Sequence, residues 1–269
     1  MFDRECYVTK SGIMDVIRSL KEIRLPLLLA KYEIKQRYRR STLGPFWITI
    51  STAVMISTIG FIFGRIFGTP LKEFLPFIAA GFIIWSFFST SILEATDVFN
   101  SSEATIKQLP IPLFSYVLKL IIRNFYIFCH NIILYPLVCF VVGKSIGLPI
   151  LLSIPGMFLM IVNLAWVALI LGIVCTRYRD LKQIVGSIMQ ILFYVTPIIW
   201  MPNQVNARVS SIFIDMNPVF HILSVVRTPL LGQYPNVLNW GVSLLLAIIG
   251  WIIALLLFNC YRNRISYWL

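Results

Sequence analysis

Residues 37–67 read RYRRSTLGPFWITISTAVMISTIGFIFGRIF: three arginines, a Gly44-Pro45 break, and a run from Phe46 that carries no charge until Arg65. A bilayer core of roughly 30 Å takes about 20 apolar residues per helical crossing, and this run meets that length. It sets a first crossing at about Gly44 to Phe67, with a basic cluster held at its start. Working outward, five more stretches satisfy the same criterion, at about Phe74 to Leu93, Tyr116 to Val142, Ile150 to Cys175, Ile184 to Met201 and Val237 to Tyr261.

Composition agrees. Hydrophobic residues make up 58% of the 269 and charged residues 13%, and the mean hydropathy is +0.84. One soluble core cannot bury that much apolar surface, so lipid must cover the rest. The net charge of +12 would suggest nucleic acid in a soluble protein. Here the basic residues lie between apolar stretches and act as topology signals, so no nucleic acid partner is expected. With both termini inside the cell, eighteen of the 23 lysines and arginines face the cytoplasm, and Arg65, Lys72, Lys144, Arg208 and Arg227 face out. Every short loop then obeys the positive-inside rule. Cys6, Cys129, Cys139, Cys175 and Cys260 show no paired spacing, so neither a disulfide framework nor a metal site is indicated. The first forty residues are polar and basic with no cleavage site after the first apolar run, which predicts a retained, cytoplasmic amino terminus.

Before the first crossing, Ile13, Val16, Ile17 and Leu20 recur at helical spacing opposite Arg18 and Lys21, the pattern of an amphipathic helix on a membrane surface. After Pro26, a second basic helix from about Leu27 to Arg40 carries Lys31, Lys35, Arg37, Arg39 and Arg40 to the anionic headgroups. Glu94 and Asp97 would cost about 2.5–3.5 kcal/mol each at a helix centre, so the second crossing should end before them. Lys119 and Arg123 are expected to snorkel to the cytoplasmic interface. Asn100 to Gln108 is short and polar and is followed by Pro110 and Pro112, which suits a brief helix across the membrane face. Pro202 to Pro235 is long and apolar, which suits short helices dipping into the outer leaflet. The fold class is an all-α membrane protein. It divides into residues 1–42, a six-helix membrane domain over 43–261, and a tail over 262–269.

The chain offers little chemistry of its own. Gly143, Lys144 and Ser145 end like a phosphate-binding loop, but Val138 stands where the first glycine belongs and no strand precedes it, so ATP hydrolysis by this chain is not expected. All eleven acidic residues fall before the first crossing or in loops, which argues against ion-coupled transport. Energy must then come from a partner. His130 reads as a packing residue. His221 with Asp215 is the sharpest catalytic guess, an acid–base pair for a membrane-bound glycan enzyme, and ranks below a structural role. Among the aromatics, Phe46, Trp47, Phe193, Tyr194 and Trp200 on the first and fifth crossings could offer flat faces to sugar rings, against the ordinary reading that they pack or sit at interfaces.

Arg37-Tyr38-Arg39-Arg40-Ser41-Thr42-Leu43-Gly44-Pro45-Phe46-Trp47 resembles the signature at the start of the first span in ABC transporter permeases of the type-2 polysaccharide-export class. Arg177-Tyr178-Arg179-Asp180, Asn217-Pro218 with Arg227, and Lys107 to Pro112 resemble further segments of that family. The resemblance implies a homodimer around a glycan channel, with two copies of a separate cytoplasmic ATPase that holds the ATP and magnesium. It makes the amino-terminal helix an interface helix that includes Arg37, Arg39 and Arg40. It makes residues 98–109 a coupling helix, with Asn100, Glu103, Lys107 and Gln108 meeting the ATPase beside Arg179 and Asp180. It makes residues 203–230 an outer re-entrant segment. No cofactor on this chain and no catalytic or metal residue follow from it. The implied cargo is a lipid-linked polysaccharide such as an O-antigen, with capsule or teichoic acid precursors next, crossing the bacterial inner membrane. The alternatives are an exporter of drugs or lipids and a membrane-embedded glycan transferase or ligase.

Overall fold

The structure is a computed structural model that describes residues 12–39, 44, 46–145, 147–202 and 214–269. Among the described residues every regular element is helical. Two helices precede the bundle, α1 (Gly12–Lys21) and α2 (Arg24–Arg37). Then come α3 (Phe46–Ile66) and α4 (Leu71–Ala95), a 3₁₀ turn at Asn100–Ser102 (a second, Leu148–Leu152, leads into α8), and the six-residue α5 (Glu103–Gln108). They are followed by α6 (Phe114–Asn131), α7 (Leu134–Val142), α8 (Ser153–Arg177) and α9 (Leu181–Val195). The last are α10 (Pro218–Leu230) and α11 (Val237–Trp268).

Among the described residues five helical segments are long and apolar enough to cross a membrane: Phe46–Ile66, Leu71–Ala95, Phe114–Val142, Leu148–Arg177 and Val237–Trp268. The expected fifth crossing, Ile184 to Met201, is shorter. α9 stops at Val195, after 15 residues. Pro197 forces the residue before it out of the helical region, and Thr196 accordingly has ψ 133°. The third crossing also differs from the single helix expected. It breaks between Asn131 and Leu134, because the ring of Pro136 clashes with the carbonyl four residues earlier, at Ile132. The segment 262–269 continues α11 as helix to Trp268.

α4 is the central helix. Its buried face includes Phe74, Ile78, Ile83, Ile84, Trp85 and Phe88, and it packs against α3, α6, α7, α8, α9 and α10. Close approach elsewhere depends on glycines. A Cβ on Gly250 of α11 would lie 2.2 Å from the Trp166 ring of α8, and one on Gly156 would lie 2.3 Å from the Val225 carbonyl oxygen of α10. Such small residues let helices in lipid gain backbone-level van der Waals contact. Polar ties reinforce α8 against α11: Asn163 Nδ2 donates to the Ser243 carbonyl at 3.1 Å and Trp251 Nε1 to the Val162 carbonyl at 3.2 Å.

α3 and α9 are held far less. The buried residues of α3 are Thr52, Ile56, Gly60 and Gly64, one stripe spaced by four, and Met189 is the buried residue of α9. Ile50, Val54, Phe61, Ile184, Ile188 and Ile191 are exposed. Two buried clusters lie along the bundle axis. One gathers around α4, α7 and α10, and the other around α1, the start of α6 and the carboxy-terminal ends of α8 and α11.

Candidate functional site

The segment expected to couple to an ATPase lies at the α1 end of the bundle. Leu109, in extended conformation, ends α5, and its side chain is exposed along with Lys107 and Gln108, whereas Asn100 and Glu103 are half-buried. Glu103 and Lys107 form an i,i+4 ion pair at 2.6 Å. The Lys107 ammonium holds the Glu103 carboxyl below its usual range, first by that hydrogen bond and then by its charge, and the Arg179 charge adds to the effect. Arg179, exposed in the loop after α8, therefore comes near α5, and Asp180 beside it is also exposed. Lys182, at the start of α9, pairs with Asp97 at 3.4 Å. Arg179 thus adds its charge to the α5 pair, while Lys182 ties the root of α9 to the turn after α4.

Next to it lies an ion-pair network that sequence reasoning missed. Arg123 of α6 donates Nη1 to Glu33 of α2 at 2.8 Å and Nη2 to Glu94 of α4. Lys119 donates to Glu33 at 3.1 Å and to Ser102 Oγ at 3.2 Å, Asn124 Nδ2 donates to Glu94 at 2.9 Å, and Arg37 approaches Glu94 at 3.8 Å. Lys119 and Arg123 are only 12% and 14% exposed at their side chains, so they bridge helices and do not snorkel to solvent. Glu94 sits in the last turn of α4, not in a loop beyond it. Arg123, bridging Glu94 to Glu33, and Asn124 offset the cost of bringing that carboxylate out of water, which a hydropathy argument leaves out. The Lys119–Arg123 spacing of four, one helical turn, was the readable signal. A cavity of about 400 Å³ opens beside the network, lined by Glu33, Glu94, Asp97, Lys119, Arg123 and Lys182.

Of the amino-terminal residues, Arg37 joins the network through Glu94, Arg39 is exposed, and Arg40 lies outside the described residues. α1 buries Gly12, Asp15, Val16 and Ser19 against the bundle and leaves Ile13, Ile17 and Leu20 exposed. An apolar stripe at this spacing suits a lipid surface. Val16, expected on that stripe, faces the protein instead.

The aromatic residues divide. Phe46, Trp47 and Tyr194 are exposed at 58%, 59% and 62%. Phe193 packs against Trp85 with ring centroids 5.6 Å apart, and the Trp200 indole donates to the Tyr194 carbonyl at 3.1 Å. Phe46 meets the His130 ring edge-on at 6.0 Å.

His221 takes the structural role ranked above catalysis, and Arg227 is buried. His221 and Asp215 do not form an acid–base pair: His221 Nε2 lies 3.1 Å from the Asp215 backbone carbonyl, and Nδ1 lies 2.8 Å from Asn239 Oδ1. The ring links α10 to α11. Arg227, expected in an outer loop, is 5% exposed and donates to the Pro197 carbonyl beneath the Phe77 ring, 4.8 Å from its centroid. Asn217 caps α10, accepting from Val219 N and Phe220 N at 3.0 and 3.3 Å, and donates to Thr196 Oγ1 at 2.9 Å. The rest of the expected outer segment, residues 203–213, lies outside the described residues. The Gly143-Lys144-Ser145 fragment is the stop of α7. Gly143 has φ 66° and Lys144 N returns to the Cys139 carbonyl at 2.9 Å.

Membrane-length helices around a central α4, with a short charged helix between α4 and α6 at one end, make this a multi-pass membrane protein. The ABC-2 type transporter family matches residues 26–231, from α2 through the end of α10, and the chain belongs to that family. It is similar to the O-antigen export system permease protein RfbA of Myxococcus xanthus, 22% identical over 220 residues that cover 78% of this chain and 81% of the relative. Two Klebsiella pneumoniae proteins of the same name are 22% and 23% identical over 243 and 246 residues, each covering 90% of this chain and 93% of the relative. The chain is a transport subunit.

Proposed function

We propose that this chain is the membrane-spanning half of an ATP-driven exporter that moves a lipid-linked polysaccharide, an O-antigen foremost, across the bacterial inner membrane. Two copies enclose the path, and two copies of a cytoplasmic ATPase, which hold ATP and magnesium, dock on the face bearing α5. The observation that carries this reading is the charged surface where Arg179 comes near the Glu103–Lys107 pair of α5, with Lys182 of α9 paired to Asp97 in the turn before α5. A push on α5 reaches that turn along the chain and α9 through the Asp97–Lys182 pair, and α9 is among the helices with least packing to resist it. The choice of cargo is supported by the names of the relatives. The homodimer is supported by the exposed apolar faces of α3 and α9, and the glycan path by Phe46, Trp47 and Tyr194 on them.

The test is reconstitution with the ATPase in vesicles loaded with labelled lipid-linked glycan. ATP-dependent export that fails when Lys107 and Arg179 are reversed to glutamate, with the membrane subunit still inserted, is the expected result. Movement of a lipid or drug in place of the glycan would transfer the reading to that cargo class. Turnover by the isolated chain without ATP would refute it.

A further inference from the structure

The helix that follows the coupling segment lacks a cap of its own. Leu113 occupies the N-cap position of α6 and offers no side-chain acceptor, so the first backbone N–H groups of α6 need a partner. The partner comes from α1. Asp15, whose side chain is 0% exposed, accepts from Leu113 N at 3.2 Å and from Phe114 N at 3.0 Å. The same carboxylate accepts from Arg262 Nε of α11 at 2.8 Å. One buried group therefore closes three helices on one another. Its oxygens meet the positive end of a helix dipole and the Arg262 guanidinium together.

Around it α1 is fitted to both neighbours. Gly12 N donates to Asn259 Oδ1, and a Cβ at Gly12 would lie 2.9 Å from the Phe258 ring, so α1 touches α11 at backbone level. Ser115 Oγ of α6 donates to Ser19 Oγ of α1 at 3.1 Å, and Ser19 Oγ donates to the Asp15 carbonyl at 2.8 Å. Between α5 and α6 the link is stiff, because Pro110 and Pro112 fix their own φ and restrict the residues before them. Ile106 of α5 and the link residues line, with Arg262 and Ser266, a groove of about 360 Å³ on the same joint.

We infer that Asp15 is a positioning residue that makes α1, the start of α6 and the end of α11 one rigid body, so that force on α5 is delivered to these three together. The inference rests on the exporter reading. It separates the α5 end into a body locked by a buried carboxylate and a lighter element, α9, tied by the exposed Lys182–Asp97 pair to the turn that precedes α5. The segment 262–269 then belongs to the transmission, not to a free tail.

Two variants of the full chain, each in complex with its ATPase, test this. Asp15→Asn keeps the shape and one acceptor but loses the charge. The glycan exported per ATP hydrolysed should fall about tenfold, within the range of ordinary coupling between sites, while hydrolysis per complex stays within about twofold. An unchanged ratio, or a parallel fall of export and hydrolysis with the amount of folded protein, overturns the inference. The second variant, Ser19→Cys with Ser115→Cys in a chain whose native cysteines are serine, locks α1 to α6. A rigid body predicts equal bond yield with and without ATP, and export that survives oxidation. Yield that depends on ATP, or export lost on oxidation and restored by reduction, overturns it, and this arm decides the matter where Asp15→Asn fails to accumulate. If the unsubstituted complex moves no glycan, the exporter reading fails, and the joint is still judged by bond yield with and without ATP.

Discussion

Replacing Arg123 by alanine removes the bridge between α2 and α4. Arg123 is 14% exposed at its side chain, Glu94 29% and Glu33 35%, so the network lies between a surface pair and a buried one. Exposed pairs contribute about 0.2–1 kcal/mol, and breaking a fully buried one costs about 3–5 kcal/mol. After the substitution Glu33 keeps Lys119 and Glu94 keeps Asn124, which limits the loss. Arg123 Nε is buried without a partner among the described residues, so an unmet donor disappears as well. These terms together place Arg123→Ala at about 2 kcal/mol of destabilisation, with about 1 kcal/mol as coupling to Glu94. Arg123→Lys should cost about half as much, since one ammonium cannot occupy both carboxylates as the guanidinium fork does. Equilibrium unfolding in mixed micelles of Arg123→Ala, Glu94→Ala and the double variant measures the coupling directly. A coupling below about 0.3 kcal/mol, within the scatter of independent sites, would show that the network is incidental to the placement of α2.

Gly250→Ala should destabilise the chain by about 1–3 kcal/mol, because the added methyl meets the Trp166 ring, and the same micelle unfolding reads the loss. Pairing it with Trp166→Phe should recover part of that loss, and no recovery would locate the strain elsewhere. Trp47→Ala combined with Tyr194→Ala should leave assembly intact and lower glycan export. Two ring faces at about 0.5–1.5 kcal/mol each predict a fall of about tenfold, and unchanged export would remove both residues from the path.

The membrane helices were legible because lipid demands an uninterrupted apolar run, and α3, α4, α8 and α11 begin or end within a few residues of their hydropathy limits, apart from the far end of α11. The errors fall where one residue acts on its neighbours. Pro197 ends α9 early and Pro136 breaks the third crossing, although neither lowers the hydropathy of its stretch. The coupling residues could be singled out by resemblance, but their convergence could not, since Glu103 and Arg179 approach only after α8 has returned across the bundle. The Glu33–Arg123–Glu94 bridge and the Asp15 joint were unreadable for the same reason. Transfer scales charge each ionised side chain as if alone, and each of these groups takes its partners from other helices. Two signals could have been read: the Gly60 and Gly64 stripe of α3, and a lone arginine at 227 inside an apolar stretch.

Arg227 also bears on which parts can move. Its guanidinium holds the Pro197 carbonyl just past the end of α9, and Asn217 holds Thr196, so the far end of α9 is tied to α10 while its middle is lightly packed, chiefly through Met189. The near end is tied to the turn after α4 by the Lys182–Asp97 pair. A helix fixed at both ends and lightly packed between them cannot slide as a unit without breaking a tie, but it can tilt or rotate about the buried one. The buried tie is the stronger: a desolvated, charged hydrogen bond outweighs an exposed ion pair by a factor of about two or more. A displacement that starts at α5 should therefore pivot α9 about Arg227, with the widest excursion at the α5 end and the smallest beside α10. The exposed faces of Ile184, Ile188 and Ile191 would sweep with it.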